Sequence, residues 1–254
     1  MRVNTHIPRD SRVYDGCLVG KNNVLPADAP LEDLTPIGAA SSDTVVYVNG
    51  INTSIEKQRQ DMRYIAAAKG HKVIGVHNAT AGVVRDLGQC LLDKLDMQKN
   101  SAVKTVENMV KQAMKSGQQL ALIAHSQGAL ICSRALWGVQ KELREGGLSE
   151  KEAKEKLAVV NLETAGGAAH TYPDGPSYHH RVNRFDPVPG SAGINSYVPG
   201  KKLGENAKVT VITRIQDHYT KDSDSLWDYF PNVLDRTVHG VEVYYNKAGG
   251  TAKA

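Results

Sequence analysis

An α/β architecture, with a mostly parallel central sheet and helices on both faces, is what this sequence of 254 residues predicts. Three observations carry the prediction. Short apolar or β-branched runs (Thr44 to Val48, Val73 to Val76, Leu120 to Ala124, Leu157 to Leu162, Lys208 to Thr213) alternate with helix-length segments, the pattern of strand–helix–strand units. Several of these runs are apolar throughout, as expected of strands covered on both faces. The tight sequence His125-Ser126-Gln127-Gly128 joins one such run directly to an all-apolar helical stretch.

The elements follow in order. Residues 1–42 are rich in Pro, Asp and Gly and read as an irregular N-terminal arm. The α/β domain is expected over 43–246, and the tail 247–254 is expected to be disordered. Thr44 to Val48 is the first strong strand, followed by the loop Asn49-Gly50-Ile51-Asn52-Thr53. Ser54 caps a helix from Ile55 to Lys69, and Gly70 ends it. The second strand is His71 to His77. A helical pattern then runs through Val83, Val84, Leu87, Leu91 and Leu95 and again through Val103, Val106, Val110 and Met114, which makes 79–117 a candidate lid or cap. Residues 141–156 (KELREGGLSEKEAKEK) read as a charged, solvated insertion or exposed helix pair. Strands are expected at Leu157 to Leu162, Arg181 to Phe185 and Lys208 to Thr213, a helix near 223–235, and an edge strand at Val238 to Tyr245.

Composition narrows the function. Apolar residues make up 41% and charged residues 23%, an ordinary balance for a globular chain. The net charge of +4 is spread without blocks and aromatics are 6%, so no nucleic-acid face is predicted; the charge suits a solvated surface first and allows a weak peripheral contact with anionic lipid. The three cysteines, Cys17, Cys90 and Cys132, are odd in number and far apart, which suits free thiols rather than a disulfide framework. The opening MRVNTHIPRDSRVYDG has no apolar core of a signal peptide, and no run is long enough to cross a bilayer. The expectation is a cytoplasmic protein, or one secreted by a route that needs no signal peptide.

The chemistry centres on Ser126. A strand that turns at once into a helix leaves the apex residue strained and exposed, which is the geometry of a nucleophile elbow. Gly128 follows where a Cβ would clash with the neighbouring strand, and Ala124 stands where such elbows usually carry Gly. A serine at this place would also cap the helix. A hydroxyl becomes nucleophilic only beside a base, and a histidine base needs a third group to hold its tautomer. In this architecture acid and base follow the serine in the chain. Asp186 is the favoured acid because it ends a strand and Pro187 stiffens its loop; Glu163 is the fallback. Among nine histidines, only His218 and His239 follow Asp186, and His218, a short loop beyond a strand end, is preferred. The oxyanion would be held by the backbone N–H groups of Gln127 and Ile51. Asn49, Gly50 and His125 would line the substrate, although Asn-Gly is also a common turn.

His170, His179 and His180 lack zinc-site spacing, Asp222-Ser223-Asp224 is too short for a calcium loop, and Gly166-Gly167 lacks a phosphate fingerprint. No metal and no cofactor are predicted.

These residues resemble the α/β-hydrolases, and within them bacterial lipase-like serine hydrolases that carry AHSQG or GHSQG at the nucleophile. The resemblance runs from about Thr44 to Phe230 and is most specific in VVYVNGINT, HNATAGVVRDLGQCLLDKL, LIAHSQGALI and RFDPVPG. It implies the α/β-hydrolase fold, Ser126 as nucleophile, Asp186 as acid and His218 as base. It further implies esterase action on lipid or phospholipid acyl groups, and some signal-less bacterial members are exported phospholipase effectors. In 83–97 the stripe Val84, Leu87, Leu91 and Leu95 fits a lid over an acyl pocket and equally a core-packing helix. A thioesterase or amidase would use the same machinery, and an inert hydrolase-like binding module would keep the fold alone.

Overall fold

The computed structural model describes residues 11–38, 43–79, 101–194, 201–213 and 239–245. Eight strands, β1 (Leu18–Val19), β2 (Val24–Leu25), β3 (Thr44–Val48), β4 (Lys72–Val76), β5 (Leu120–His125), β6 (Val160–Ala165), β7 (Ser177–Asn183) and β8 (Lys208–Ile212), form one sheet in the order β2-β1-β4-β3-β5-β6-β7-β8. Every pairing from β4 to β8 is parallel, while β1 runs antiparallel to both β2 and β4. The sheet is mostly parallel, as the sequence predicts, and the arrangement is consistent with an α/β-hydrolase fold.

Side chains leave a strand on alternate faces, and each face here has its own apolar layer. On one, Val46, Val48, Ile74, Leu122 and Leu162 pack against α2 (Ser101–Ser116), α3 (Gln127–Glu145) and α4 (Glu150–Leu157) through Val106, Val110, Ile131 and Leu136. On the other, Val45, Tyr47, Val73 and Ile123 meet α1 (Ile55–Lys69) and a short C-terminal helix. Each large aliphatic side chain so buried contributes about 1.5–3 kcal/mol. Ser54 caps α1 by accepting from the Lys57 N–H at 3.1 Å, and Gly70 closes it in the left-handed conformation with φ 72°.

The arm at 1–42 is less irregular than its composition suggests: β1 and β2 extend the sheet, being too short to show an alternating pattern. Asp15 fixes the arm to the core, its carboxylate accepting from the Ala79 N–H at 3.0 Å and the Ser101 N–H at 3.1 Å. The charged stretch 141–156 is the end of α3 plus α4, which opens with a Ser149/Glu152 capping box. β6 begins later than expected and carries Glu163 inside the strand, and β7 runs from Ser177 to Asn183 rather than from Arg181. The expected edge strand at Val238 to Tyr245 is instead a helix at Val241–Tyr245, because its apolar side chains are buried beside α1 and that burial overrides their β preference. The candidate lid stripe of 83–97, His218, the expected helix of 223–235 and the tail lie outside the described residues. Among the described residues, no helix is long and apolar enough to cross a membrane.

Candidate active site

β5 ends at His125, and α3 begins at Gln127, so Ser126 alone turns the chain. Its backbone sits at φ 53° and ψ −122°, a region that costs a non-glycine residue about 1–3 kcal/mol. That strain is held in place from both sides. The Ser126 N–H donates to the Ala165 carbonyl at 3.1 Å, and its carbonyl accepts from the Ala129 and Ala168 N–H groups. The side chain makes no capping bond to the helix, so the hydroxyl is not engaged as an N-cap. A Cβ at Gly128 would stand 2.2 Å from the Val48 carbonyl oxygen, which is why β3 and the start of α3 approach this closely only at glycine.

Gly50, in the loop after β3, lies directly against the turn: a Cβ there would be 2.9 Å from Ser126 Cβ and 3.4 Å from Ser126 Oγ. Ile51 follows in the same turn. Asn49 has a different role from the substrate contact expected of it. It is fully buried, its Nδ2 donates to the Gly50 and Asn78 carbonyls at 2.8 Å, and its Oδ1 accepts from the Asn78 N–H at 2.8 Å. Both N–H groups of its amide are thus spent on backbone carbonyls. Asn78 Nδ2 continues the chain of bonds to Gln127 Oε1 at 2.7 Å, tying the ends of β3 and β4 to the first residue of α3.

Asp186 stands one turn after β7 and caps α5 (Pro187–Ser191), Oδ1 accepting from the Val188 N–H at 2.9 Å. Its Oδ2 accepts from two side chains, His239 Nδ1 at 2.6 Å and the Tyr244 hydroxyl at 2.5 Å. Both come from the last described segment, His239 just ahead of α6 (Val241–Tyr245) and Tyr244 within it. The carboxylate has no exposed side-chain surface, and a carboxylate so placed is stable only because donors surround it. With Nδ1 donating to Asp186, the neutral His239 ring carries its lone pair on Nε2, the tautomer of a general base. The ring packs against His125 with centroids 4.5 Å apart, which brings it to the residue next to Ser126. His125 Nε2 donates to the His239 carbonyl at 2.7 Å. His125 therefore braces His239; it is buried at 6% exposure, as Ser126 is at 5%, so the apex of the turn is covered rather than exposed as the sequence suggests.

Gly166, at φ 57°, makes room for this junction: a Cβ there would lie 2.8 Å from Asp186 Oδ2, 2.9 Å from the Tyr244 hydroxyl and 3.0 Å from His239 Nδ1. Glu163, the fallback acid, is elsewhere. It lies mid-strand, paired with Lys69 at 2.6 Å and Arg181 at 2.7 Å and accepting from the Tyr245 hydroxyl at 2.8 Å. Burial would raise its pKa, but Lys69 and Arg181 together hold it below the usual carboxylate value. A cavity of about 200 Å3 lined in part by Lys69, His71, Glu163 and His179 opens near the amino ends of the strands and does not include Ser126.

The structure thus brings Gly50, Ser126 and Gln127 together at the carboxyl ends of β3 and β5, and seats the Asp186–His239 pair against His125, the residue before Ser126. The preferred base, His218, lies outside the described residues, whereas the second choice, His239, is the imidazole that Asp186 holds. Tyr244 is not legible in the sequence because its segment reads as a strand, and Gly166 because its role depends on residues 20, 73 and 78 positions away.

Matches among solved structures include esterases and lipases. They include an esterase of Pyrobaculum calidifontis (12% identity, TM-score 0.39, covering 78% of this chain and 74% of that one) and lipase B of Aspergillus fumigatus (11%, 0.38, 83% and 50%). A third is the monoacylglycerol lipase of Paleococcus ferrophilus (17%, 0.28, 56% and 46%). The chain spans about half the length of each of these two lipases. No family model and no curated protein matches the chain.

Proposed function

We propose that this chain is a serine hydrolase that cleaves carboxylic ester bonds of acyl lipids through an acyl-enzyme on Ser126. The observation that carries the reading is the juxtaposition of a strained, uncapped serine between β5 and α3 with a buried Asp186–His239 pair packed against the preceding residue. His239 replaces His218 as the proposed base, because the Asp186 oxygen that would orient an imidazole already holds that of His239.

In the proposed reaction His239 Nε2 takes the Ser126 proton as Oγ attacks the ester carbonyl, and then returns a proton to the leaving alkoxide. Asp186 keeps the ring in the required tautomer and balances the imidazolium. The oxyanion is received by the Gln127 N–H, at the start of α3 where the first amides have no intrahelical acceptor, and by the Ile51 N–H. Gly50 lets the loop backbone come within reach of the reacting carbon. Water then repeats the sequence on the acyl-enzyme. Acyl lipids are put first as substrates by the resemblance of LIAHSQGALI and RFDPVPG to lipase-like hydrolases. Action on phospholipid and export as an effector extend that proposal.

Turnover of p-nitrophenyl acyl esters by wild type and Ser126→Ala tests it. The expected loss is at least 10³-fold in kcat, as for removal of a nucleophile whose partners remain. Equal rates would remove Ser126 from the mechanism. A fluorophosphonate probe should label wild type and spare Ser126→Ala; a chain that resists the probe is an inert binding module. Thioesters offered in parallel, and phospholipid liposomes, then fix the leaving group.

A further inference from the structure

Tyr244 is the one group at the junction to which the hydrolytic steps above give no part. Its ring is buried, edge-on to His125 at 6.5 Å, and its oxygen accepts from the Asn183 N–H at 3.3 Å. Its own proton goes to Asp186 Oδ2, the same oxygen that His239 Nδ1 uses. Burial first, and then the adjacent carboxylate, push this phenol far above its ordinary pKa, so it remains a donor wherever the protein is folded.

We propose that Tyr244 is a positioning residue for the Asp186–His239 pair, fixing the carboxylate's rotation and sharing the negative charge of the oxygen that orients the imidazole. The inference rests on the proposed roles of Ser126, Asp186 and His239. The carboxylate is held at three points: the Val188 N–H on Oδ1, and the phenol and the imidazole on Oδ2. Without the phenol, Oδ2 keeps His239 as its single side-chain donor among the described residues. Its charge is then less dispersed, it stabilises the imidazolium more strongly, and the acidity of His239 falls. It is also freer to turn, and small losses of alignment between base and nucleophile are costly in rate.

Among the described residues, the other ionisable groups packed around α6 pair with one another, and Tyr245 of α6 donates to Glu163 at 2.8 Å. Lys57 of α1 holds Asp61 at 2.9 Å and lies 3.6 Å from Glu242 of α6, and Lys69 of α1 with Arg181 of β7 holds Glu163 of β6, which also lies 3.6 Å from His179 of β7. Arg181 also reaches the Tyr244 carbonyl at 3.5 Å. His125 of β5 faces the His239 ring itself.

Tyr244→Phe in the full chain keeps the ring and removes only the hydroxyl. With p-nitrophenyl esters, kcat is expected to fall about tenfold with KM within about twofold, and the acid limb of the kcat/KM profile to move up by about half a pH unit. Titration of the His239 ring by 15N NMR reads the same upward shift with no turnover needed. An unmoved limb and an unmoved ring titration, whatever happens to kcat or Tm, would overturn the proposal. Failure of the functional reading is distinct: wild type would then show no turnover dependent on Ser126, while the NMR titration would still report on Tyr244. Should Tyr244→Phe fold poorly, Tyr244→Leu gives the second measure: its Nδ1–H resonance is expected downfield of the wild-type one, because an Oδ2 relieved of the phenol binds that proton more strongly; a Nδ1–H resonance unchanged from wild type counts against the proposal.

Discussion

Gly166 holds a φ of 57° at the point where Asp186, His239 and Tyr244 meet. Alanine there would cost about 1–2 kcal/mol for the left-handed backbone and would also drive a methyl into the hydrogen-bonded junction. Gly70, at φ 72°, has the same backbone demand with nothing within 4 Å of a would-be Cβ. The pair separates conformation from crowding. Gly70→Ala should lose about 1 kcal/mol of stability and no activity, whereas Gly166→Ala should lose on the order of 100-fold in kcat on p-nitrophenyl esters, as for an ångström-scale misplacement of catalytic groups. Equal activity in the two variants would mean that the junction plays no part in turnover. Ser126 and Asp186 are legible from residue order alone, because a strand–serine–helix run and a strand–Asp–Pro run are local signals. Tyr244 is not, since its meaning depends on a contact spanning 58 residues.

Among the elements, the junction of β3, β4 and α3 shows how a polar side chain that looks functional in sequence can be architectural. Asn49, followed by Gly, reads as a loop residue facing substrate, yet its amide joins the Gly50 carbonyl to both backbone groups of Asn78. Asn49→Ala removes three buried hydrogen bonds at once, so a loss on the order of 3 kcal/mol in urea unfolding is expected. Preference among acyl chain lengths should stay unchanged in the same variant; a changed preference with wild-type stability would return Asn49 to the substrate. The longer elements were readable because periodicity and caps agree, as at Ser54 and Gly70 for α1. β1, β2 and α6 were not, since two to five residues carry no period and the burial of Tyr244 and Tyr245 against distant elements decides their form.

Across the whole molecule, two buried ionisable groups set opposing pH slopes. Burial lowers His77 from 6.5 to about 4, so its part of the stability is complete above pH 6.5 and is lost as pH falls towards 4. Burial raises Asp61 from 3.8 to about 6 despite Lys57 and Tyr47, so its part is complete below pH 3.8 and is lost as pH rises through 6. Between about pH 4 and 6 the two slopes offset one another. His77→Gln should therefore grow less stable relative to wild type as pH rises across that window, and Asp61→Asn more stable. Urea unfolding at half-unit steps of pH checks both, and parallel curves for all three chains would rule the two groups out as the source. Neither slope was visible in the sequence, where His77 and Asp61 are ordinary polar residues of a strand end and a helix; only the packing of α1 on the sheet gives them their values.

The short helix α6 and the histidine before it also set an order of events. Ser126, Gly166 and Asp186 all leave the ribosome well ahead of residue 239, so on the proposed assignment a growing chain can display its hydroxyl long before it owns a proton acceptor. The catalyst would be disarmed during its own manufacture, and arming would coincide with the seating of α6 beside α1.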